Sequence, residues 1–286
     1  MHRDSDLIIQ TQEHKDANGD AHGNARAHAH ENTPGDALLR AHLLDNAQVS
    51  VEPDLSGMEN MRRDEDNAMR LLDNPSSNVY VRLYSWDPWC ISLGANQRED
   101  DIDHDRRAGL GFDCVRRATG GRAVFHAHEL TYSIAMVLPQ GIGMHDVYRV
   151  SHHLICEALH VMGARTVSFQ KTQTDFASRY RTDGDSVSCF TSAARSELMW
   201  NDKKVVGSAQ RVYGNVLLQH GSILLSSAHL QLVDCLRLDS DSARQRLRES
   251  LQRHSVSLDE ILGHDVTVRA CADALSTVFS SGQKIK

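Results

Sequence analysis

The stretch Leu130-Thr131-Tyr132-Ser133-Ile134-Ala135-Met136-Val137-Leu138 alternates residue by residue. Leu130, Tyr132, Ile134, Met136 and Leu138 share one side, and Thr131, Ser133, Ala135 and Val137 the other. That period of two is a β-strand with one bulky face and one face of mostly small residues. A different period follows at once. Val147, Val150, Leu154, Ala158 and Val161 recur every three or four positions through residues 145–162, the spacing of an amphipathic helix, and Gly163 is placed to end it.

The same two periods extend in both directions. Upstream, Met58, Met61, Ala68, Met69, Leu71 and Leu72 form an approximate helical stripe that stops near Asn74-Pro75. Residues 79–84 and 90–94 read as strands around a turn at Asp87-Pro88, residues 103–108 as a short helix, and residues 112–116 as a strand feeding Gly120-Gly121. Downstream, strands are predicted at 197–200, 204–208 and 216–225, and the last sixty residues are helical. There Ser257 and Glu260 have the spacing of a capping box, and Val268, Ala272, Leu275 and Phe279 give a final stripe. Strands interspersed with a few long helices, without regular βαβ alternation, predict an α/β fold of the α+β type: a mixed sheet flanked by helices.

Residues 1–50 differ in kind. They are rich in His, Asp, Asn, Ala and Gly, too polar to offset ordering entropy, and are expected to form a disordered arm before a domain spanning 51–286. His22, His28 and His30 are possible metal ligands, but their loose spacing favours a plain polar tail.

The whole chain has 286 residues, 40% hydrophobic and 24% charged, with a formal charge of −7. That balance disfavours a nucleic-acid surface. No apolar run approaches the roughly 18–20 residues that span a bilayer, and Leu7-Ile8-Ile9 is too short for a secretory h-region. Cys90, Cys114, Cys156, Cys189, Cys235 and Cys271 contain no CxxC pair, which reads as reduced thiols in a cytoplasmic protein and not as a zinc site.

Three segments can carry chemistry. In Arg116-Arg117-Ala118-Thr119-Gly120-Gly121-Arg122-Ala123-Val124-Phe125-His126, paired glycines permit positive φ and close approach to backbone amides, while Arg117 and Arg122 suit an anionic group. A plain hairpin with a Gly-Gly turn and ordinary surface arginines is the reading that composition alone favours. Cys189-Phe190 precedes Lys203-Lys204-Val205-Val206-Gly207-Ser208-Ala209-Gln210, and an ammonium near a thiol favours the nucleophilic thiolate. An inert cysteine and a solvated edge-strand lysine are the plainer alternative. In Val216-Leu217-Leu218-Gln219-His220-Gly221-Ser222-Ile223, a polar triplet inside an apolar strand signals a pocket wall, a bulge or satisfied core polar groups.

Together, in this order, the three segments resemble the lipoate- and biotin-ligase catalytic superfamily, which includes octanoyltransferases, over about residues 51–260. Residues 116–124 are similar to its Arg-Arg-x-Thr/Ser-Gly-Gly-x-Ala-Val loop, with His126 at the following histidine. Residues 204–210 are similar to its lysine strand and residues 219–222 to its His-Gly strand. ATP-dependent ligases carry a third glycine and a later Asp where this chain has Arg122 and Ala127. Arg122, His126 and Glu129-Leu130-Thr131-Tyr132-Ser133 resemble instead the octanoyltransferases that take their acyl group from acyl carrier protein. That branch has a Cys-Phe pair, matched by Cys189-Phe190, although residues 191–194 lack its usual Asp and Pro.

The resemblance implies Cys189 as the acyl-thioester residue and Lys204 as the group that lowers its pKa. It implies a substrate site built from Arg117, Thr119, Gly120, Gly121, Arg122, Ala123, Val124, His126, Gly207, Ser208, Ala209, His220 and Gly221. It further implies a hydrophobic tunnel for the acyl chain, octanoyl-acyl carrier protein as donor, and a lysine of a lipoyl domain (glycine-cleavage H protein or dehydrogenase E2) as acceptor. No cofactor, metal, nucleic acid or membrane is implied. Arg106, Arg107, Arg116 and Arg117 are expected to form a docking surface for acidic carriers. An ATP-dependent lipoate ligase and a non-catalytic carrier-binding homologue are the alternatives.

Overall fold

The computed structural model describes residues 33–52, 54–171 and 196–282. In chain order the elements are α1 (Pro34–Asp45), β1 (Ala47–Val51), α2 (Gly57–Asp73), β2 (Val79–Tyr84), β3 (Cys90–Leu93), α3 (His104–Gly109), β4 (Asp113–Arg116), β5 (Val124–His126), β6 (Glu129–Val137) and α4 (Met144–Val161). Then come β7 (Ser168–Lys171), β8 (Ser196–Trp200), β9 (Lys203–Tyr213), β10 (Val216–Leu224), α5 (Asp241–His254), α6 (Leu258–Leu262) and α7 (Val268–Phe279). Short 3-10 turns occupy Glu99–Asp101 and Ser227–Cys235.

Seven strands form one sheet in the order β1-β2-β6-β10-β9-β8-β7, and β4-β3-β5 form a second. The β1–β2 and β3–β4 pairs are parallel and the remaining pairs antiparallel, so both sheets are mixed. The alternation in β6 decides how helices cover the large sheet. Its bulky residues Leu130, Tyr132, Ile134 and Met136 pack with Val147, Leu154 and Ala158 of α4 and Ala272, Leu275 and Phe279 of α7. Each fully buried aliphatic side chain there contributes roughly 1.5–3 kcal/mol. Its small face leaves room for α2, whose Ala68 and Leu71 meet Ala135 and Leu218.

Three sequence expectations need correction. The fold begins before residue 51: Thr33 caps α1 in a full capping box, and Leu39, Leu43, Leu44 and Ala47 enter the main core. The three residues Leu39, Leu43 and Leu44 offset an otherwise polar segment. (At Asp87-Pro88 the chain passes from the large sheet to the small one.) The glycine turn is no hairpin, because β4 and β5 pair with opposite edges of β3 and not with each other. Finally, Ser257 precedes α6 but does not accept a backbone N–H. Its hydroxyl donates to Glu260 Oε1 at 3.0 Å and to Asp259.

Candidate active site

A cleft of about 360 Å³, mouth included, opens where the small face of the large sheet meets β3, β5 and α2. That is near the lower end of small-molecule sites, which run to about 300–1,000 Å³. Met61, Tyr84, Trp86 and Val124 give it apolar walls, and Ser92, Thr131 and Ser222 polar ones. From the residues named by sequence, Arg117, Val124, His126, Gly207, Ser208, Ala209, His220 and Gly221 line it. The three motifs, about a hundred residues apart at their extremes, therefore converge.

The β9–β10 register brings two of them together. Gly207 pairs with Ser222, Ser208 with Gly221 and Ala209 with His220. Strand alternation then puts His220 and Ser222 on the α2 side, and Gln219 and Gly221 on the α4 side. Gly221 is required by packing: a Cβ there would lie 2.4 Å from Ser208 Oγ and 2.6 Å from Tyr132 Cε1. Through this gap the Tyr132 hydroxyl reaches Ser208 Oγ at 2.7 Å. Gln219 donates to the Tyr132 oxygen at 2.9 Å and to Ser151 at 2.7 Å, so the triplet is a pocket wall and a satisfied core network at once, in an unbulged stretch of strand. Burial raises the Tyr132 phenol to about 12, which keeps it a neutral donor.

The glycine turn is held from behind. Arg117, only 4% exposed, donates from Nη1 to Ser92 O at 2.7 Å and from Nη2 to Gly120 O at 2.9 Å and Arg122 O at 2.7 Å. Its guanidinium thus shapes the turn, where the sequence suggested an anion ligand. Gly121 has φ +96°, and a Cβ on Gly94 would fall 1.9 Å from Gly121 O, so both positions exclude side chains. Arg122 is half-buried, Gly120 is exposed, and Ala123 is buried in the core of the smaller sheet and does not line the cleft. The docking expectation also changes. Arg106 and Arg116 are exposed, but Arg117 is buried and cannot meet a carrier.

Two histidines face the cleft on carboxylate supports. His126 stacks on Trp86 with centroids 4.0 Å apart, its Nε2 lies 2.8 Å from Ser92 Oγ, and its Nδ1 lies 3.2 Å from Glu129 Oε1. Burial pushes this imidazole below its ordinary 6.5, against the opposing pull of Glu129. Thr131 and Ser222 also donate to Glu129. His220 Nδ1 lies 3.2 Å from Asp64 Oδ2, and its Nε2 lies 2.6 Å from Thr119 Oγ1.

Asp64, Arg82, Tyr84, Trp86 and Ser92 carry no site role in the sequence reading, and Glu129 is legible only as part of the octanoyltransferase-like segment. Asp64 had a readable signal. It lies three residues after Met61 and four before Ala68, on the buried face of α2, whereas Met58 and Leu72 of the predicted stripe are 75% and 39% exposed.

Lys204 is 4% exposed, and its Nζ lies 2.5 Å from Glu197 Oε1 on β8. The solvated-edge reading therefore fails for this lysine. Just after it the β8–β9 register slips: Leu198 pairs with Val206 but Met199 with Lys204, leaving Val205 as the extra residue of a bulge. Cys189 and Phe190 lie outside the described residues, as do His22, His28 and His30. Among the described residues no His, Cys, Asp and Glu cluster fits a metal ion, and no helix is long and apolar enough to cross a membrane.

Comparisons with known proteins give the family. Residues 57–280 match the family profile described as the lipoyl protein ligase A/B catalytic domain. Octanoyltransferase LipM of Kyrpidia tusciae is 39% identical over 70% of this chain and 74% of its own length. Octanoyltransferase LipM of Lysinibacillus sphaericus is 34% identical over 72% and 76%. Among solved structures, the bipartite lipoate protein ligase of Thermoplasma acidophilum superposes with a TM-score of 0.64 at 18% identity, covering 83% of this chain and 84% of that one. A lipoate-protein ligase A bound with ATP gives 0.59 at 19% identity, covering 83% and 85%. Those two likenesses concern the fold. The matched span takes in the helix that carries Asp64, the glycine turn, the lysine strand and the His-Gly strand, and the chain belongs to the lipoyl protein ligase A/B catalytic domain family.

Proposed function

We propose that this chain is an octanoyltransferase of lipoate biosynthesis, moving octanoyl from acyl carrier protein to a lysine of a lipoyl domain through a thioester on Cys189. The 39% identity to a LipM octanoyltransferase over most of both chains carries this reading. The cleft supports it, since apolar walls from Met61, Trp86 and Val124 suit a short hydrocarbon chain and polar groups stand beside them.

In the first half-reaction the Cys189 thiolate attacks the carbonyl carbon of the donor thioester. A C–S bond forms to the enzyme, the carrier's C–S bond breaks, and the carrier thiolate leaves and takes up a proton. In the second, the acceptor lysine amine attacks the same carbon and loses a proton as the amide forms, and the Cys189 thiolate departs. Lys204 supplies a buried positive charge that favours the thiolate, shared with Glu197. Backbone amides at Gly120-Gly121 or Gly207-Ser208 stabilise the oxyanion of each tetrahedral intermediate. The donor thioester is already activated, so transfer proceeds without a nucleotide. The acceptor is the lysine of glycine-cleavage H protein or of a dehydrogenase E2 subunit, and the reaction takes place in the cytoplasm.

The test is to incubate the protein with octanoyl-acyl carrier protein in the absence of ATP and record intact mass. An octanoyl adduct that disappears in Cys189→Ser supports the proposal. AMP release from octanoate and ATP that survives the same substitution would replace it with a ligase, and silence in both assays with a carrier-binding protein.

A further inference from the structure

Asp64, Thr119 and His220 come from α2, from the loop between the strands of the small sheet, and from the middle of β10, yet they form one hydrogen-bonded line. Asp64 is 1% exposed and surrounded by donors. Arg82 and Ser133 reach Oδ1, the latter at 2.6 Å, while Tyr84 at 2.8 Å and His220 Nδ1 at 3.2 Å reach Oδ2. Burial alone would raise this carboxyl, but the His220 hydrogen bond and the Arg82 charge hold it below the ordinary range. An ionised carboxylate only accepts, so His220 Nδ1 must carry a hydrogen. In a neutral ring Nε2 is then the acceptor, and Thr119, which is wholly buried, must donate its hydroxyl hydrogen to it.

We propose that Asp64 and Thr119 are positioning residues that act through His220: Asp64 fixes the imidazole as its Nδ1–H tautomer, and the imidazole fixes Thr119 and with it the Gly120-Gly121 turn. Thr119 and His220 thus bind each other, where the sequence reading had each bind substrate. The turn is gripped on both flanks. Thr119 is held by His220, and the Gly120 and Arg122 carbonyls by Arg117. A trans peptide points its N–H opposite its C=O, so turning Gly120 O toward Arg117 sends the Gly121 N–H the other way. Losing the grip on Thr119 lets that amide swing, which weakens any stabilisation of charge developing on an acyl oxygen.

The kinetic arm of the test rests on the acyl-enzyme reading, and the spectroscopic arm does not. Imidazole ¹⁵N shifts of the full chain, with His220 assigned by its loss in His220→Gln, report the tautomer directly. The expected result is a protonated Nδ1 in the native protein and a mixture of tautomers in Asp64→Asn. Rates of octanoyl-adduct formation are then compared for Asp64→Asn, Thr119→Val and the double variant. Each single change is expected to slow the rate about tenfold or more, the double no further than the worse single. Thr119→Ser, which restores the hydroxyl, is expected to recover most of what valine loses. A native His220 protonated on Nε2, fully multiplying rate losses, or a Thr119→Val protein as fast as the native one would each overturn the proposal. Should Asp64→Asn fail to fold, the threonine variants and the native spectrum still decide. If the native protein forms no adduct, the acyl-enzyme reading fails, and the ¹⁵N spectrum alone decides the clamp.

Discussion

Replacing Lys204 by methionine should damage the protein twice, and the two injuries can be separated. Lys204 and Glu197 have side chains 5% and 3% exposed, and their charged atoms sit 2.5 Å apart. Methionine keeps the stem's packing but leaves a carboxylate in a site that water barely reaches. Removing one partner of a buried pair costs about 3–5 kcal/mol. With a urea slope of roughly 2–3 kcal/mol per molar for a domain of this size, the unfolding midpoint should fall by about 1–2.5 M. Lys204→Met combined with Glu197→Gln removes both charges, so it should recover most of that midpoint. Activity should behave otherwise: adduct formation on Cys189, read by intact mass, should stay low in the double variant because the Lys204 ammonium that favours the thiolate is gone. A Lys204→Met protein with an unchanged midpoint would refute the buried-pair argument. A double variant with native adduct rates would remove Lys204 from the chemistry.

Other substitutions test the packing around the cleft. Gly94→Ala would drive a methyl into the Gly121 carbonyl, so adduct formation should collapse, while Gly109→Ala, with open space at its Cβ, should leave it unchanged. Gly221→Ala must push apart Ser208, Tyr132 and the Gly207 carbonyl. It should cost about 1–3 kcal/mol as overpacking, a drop of several degrees in the melting midpoint by calorimetry. Stability should also fall in mild acid. Burial lowers His152 to about 3 and His229 to about 4. Unfolded, both titrate near 6.5, so below that value the unfolded chain binds more protons. The stabilisation is complete above about pH 6.5 and declines as the pH drops toward 4, by up to about 1.4 kcal/mol per pH unit for each ring. His126 is lowered as well, so His229→Gln should remove only its share of that slope in urea titrations at pH 7, 6 and 5, and an unaltered slope would count against the assignment.

Periodicity made the centre of the molecule legible. The alternation of 130–138 and the stripe of 145–162 correspond closely to β6 and α4, because one buried face on each imposes its period on the sequence. Pairing was not legible in the same way. Nothing local to residues 79–94 tells β2 and β3 that they join different sheets, since that depends on β6 and β4 arriving from further along the chain. The motifs showed which residues gather but not which way they point. Arg117 reads as an anion ligand until its fork is seen holding carbonyl oxygens, and Asp64 goes unmarked until α2 is laid against β6 and β10. Polar residues on a buried face defeat a reading that looks only for apolar ones.

The parallel strand β1 closes one side of the seven-stranded sheet, registered on β2 from Ala47–Val79 to Val51–Leu83. A truncation made at residue 51, where composition alone would place the start of the domain, would peel it away together with α1. The rim of β2 would then stand bare, its main-chain donors and acceptors offered to any extended segment nearby. Such a shortened protein should clump on expression, a failure easily mistaken for loss of a regulatory tail, whereas cutting before Thr33 spares the border.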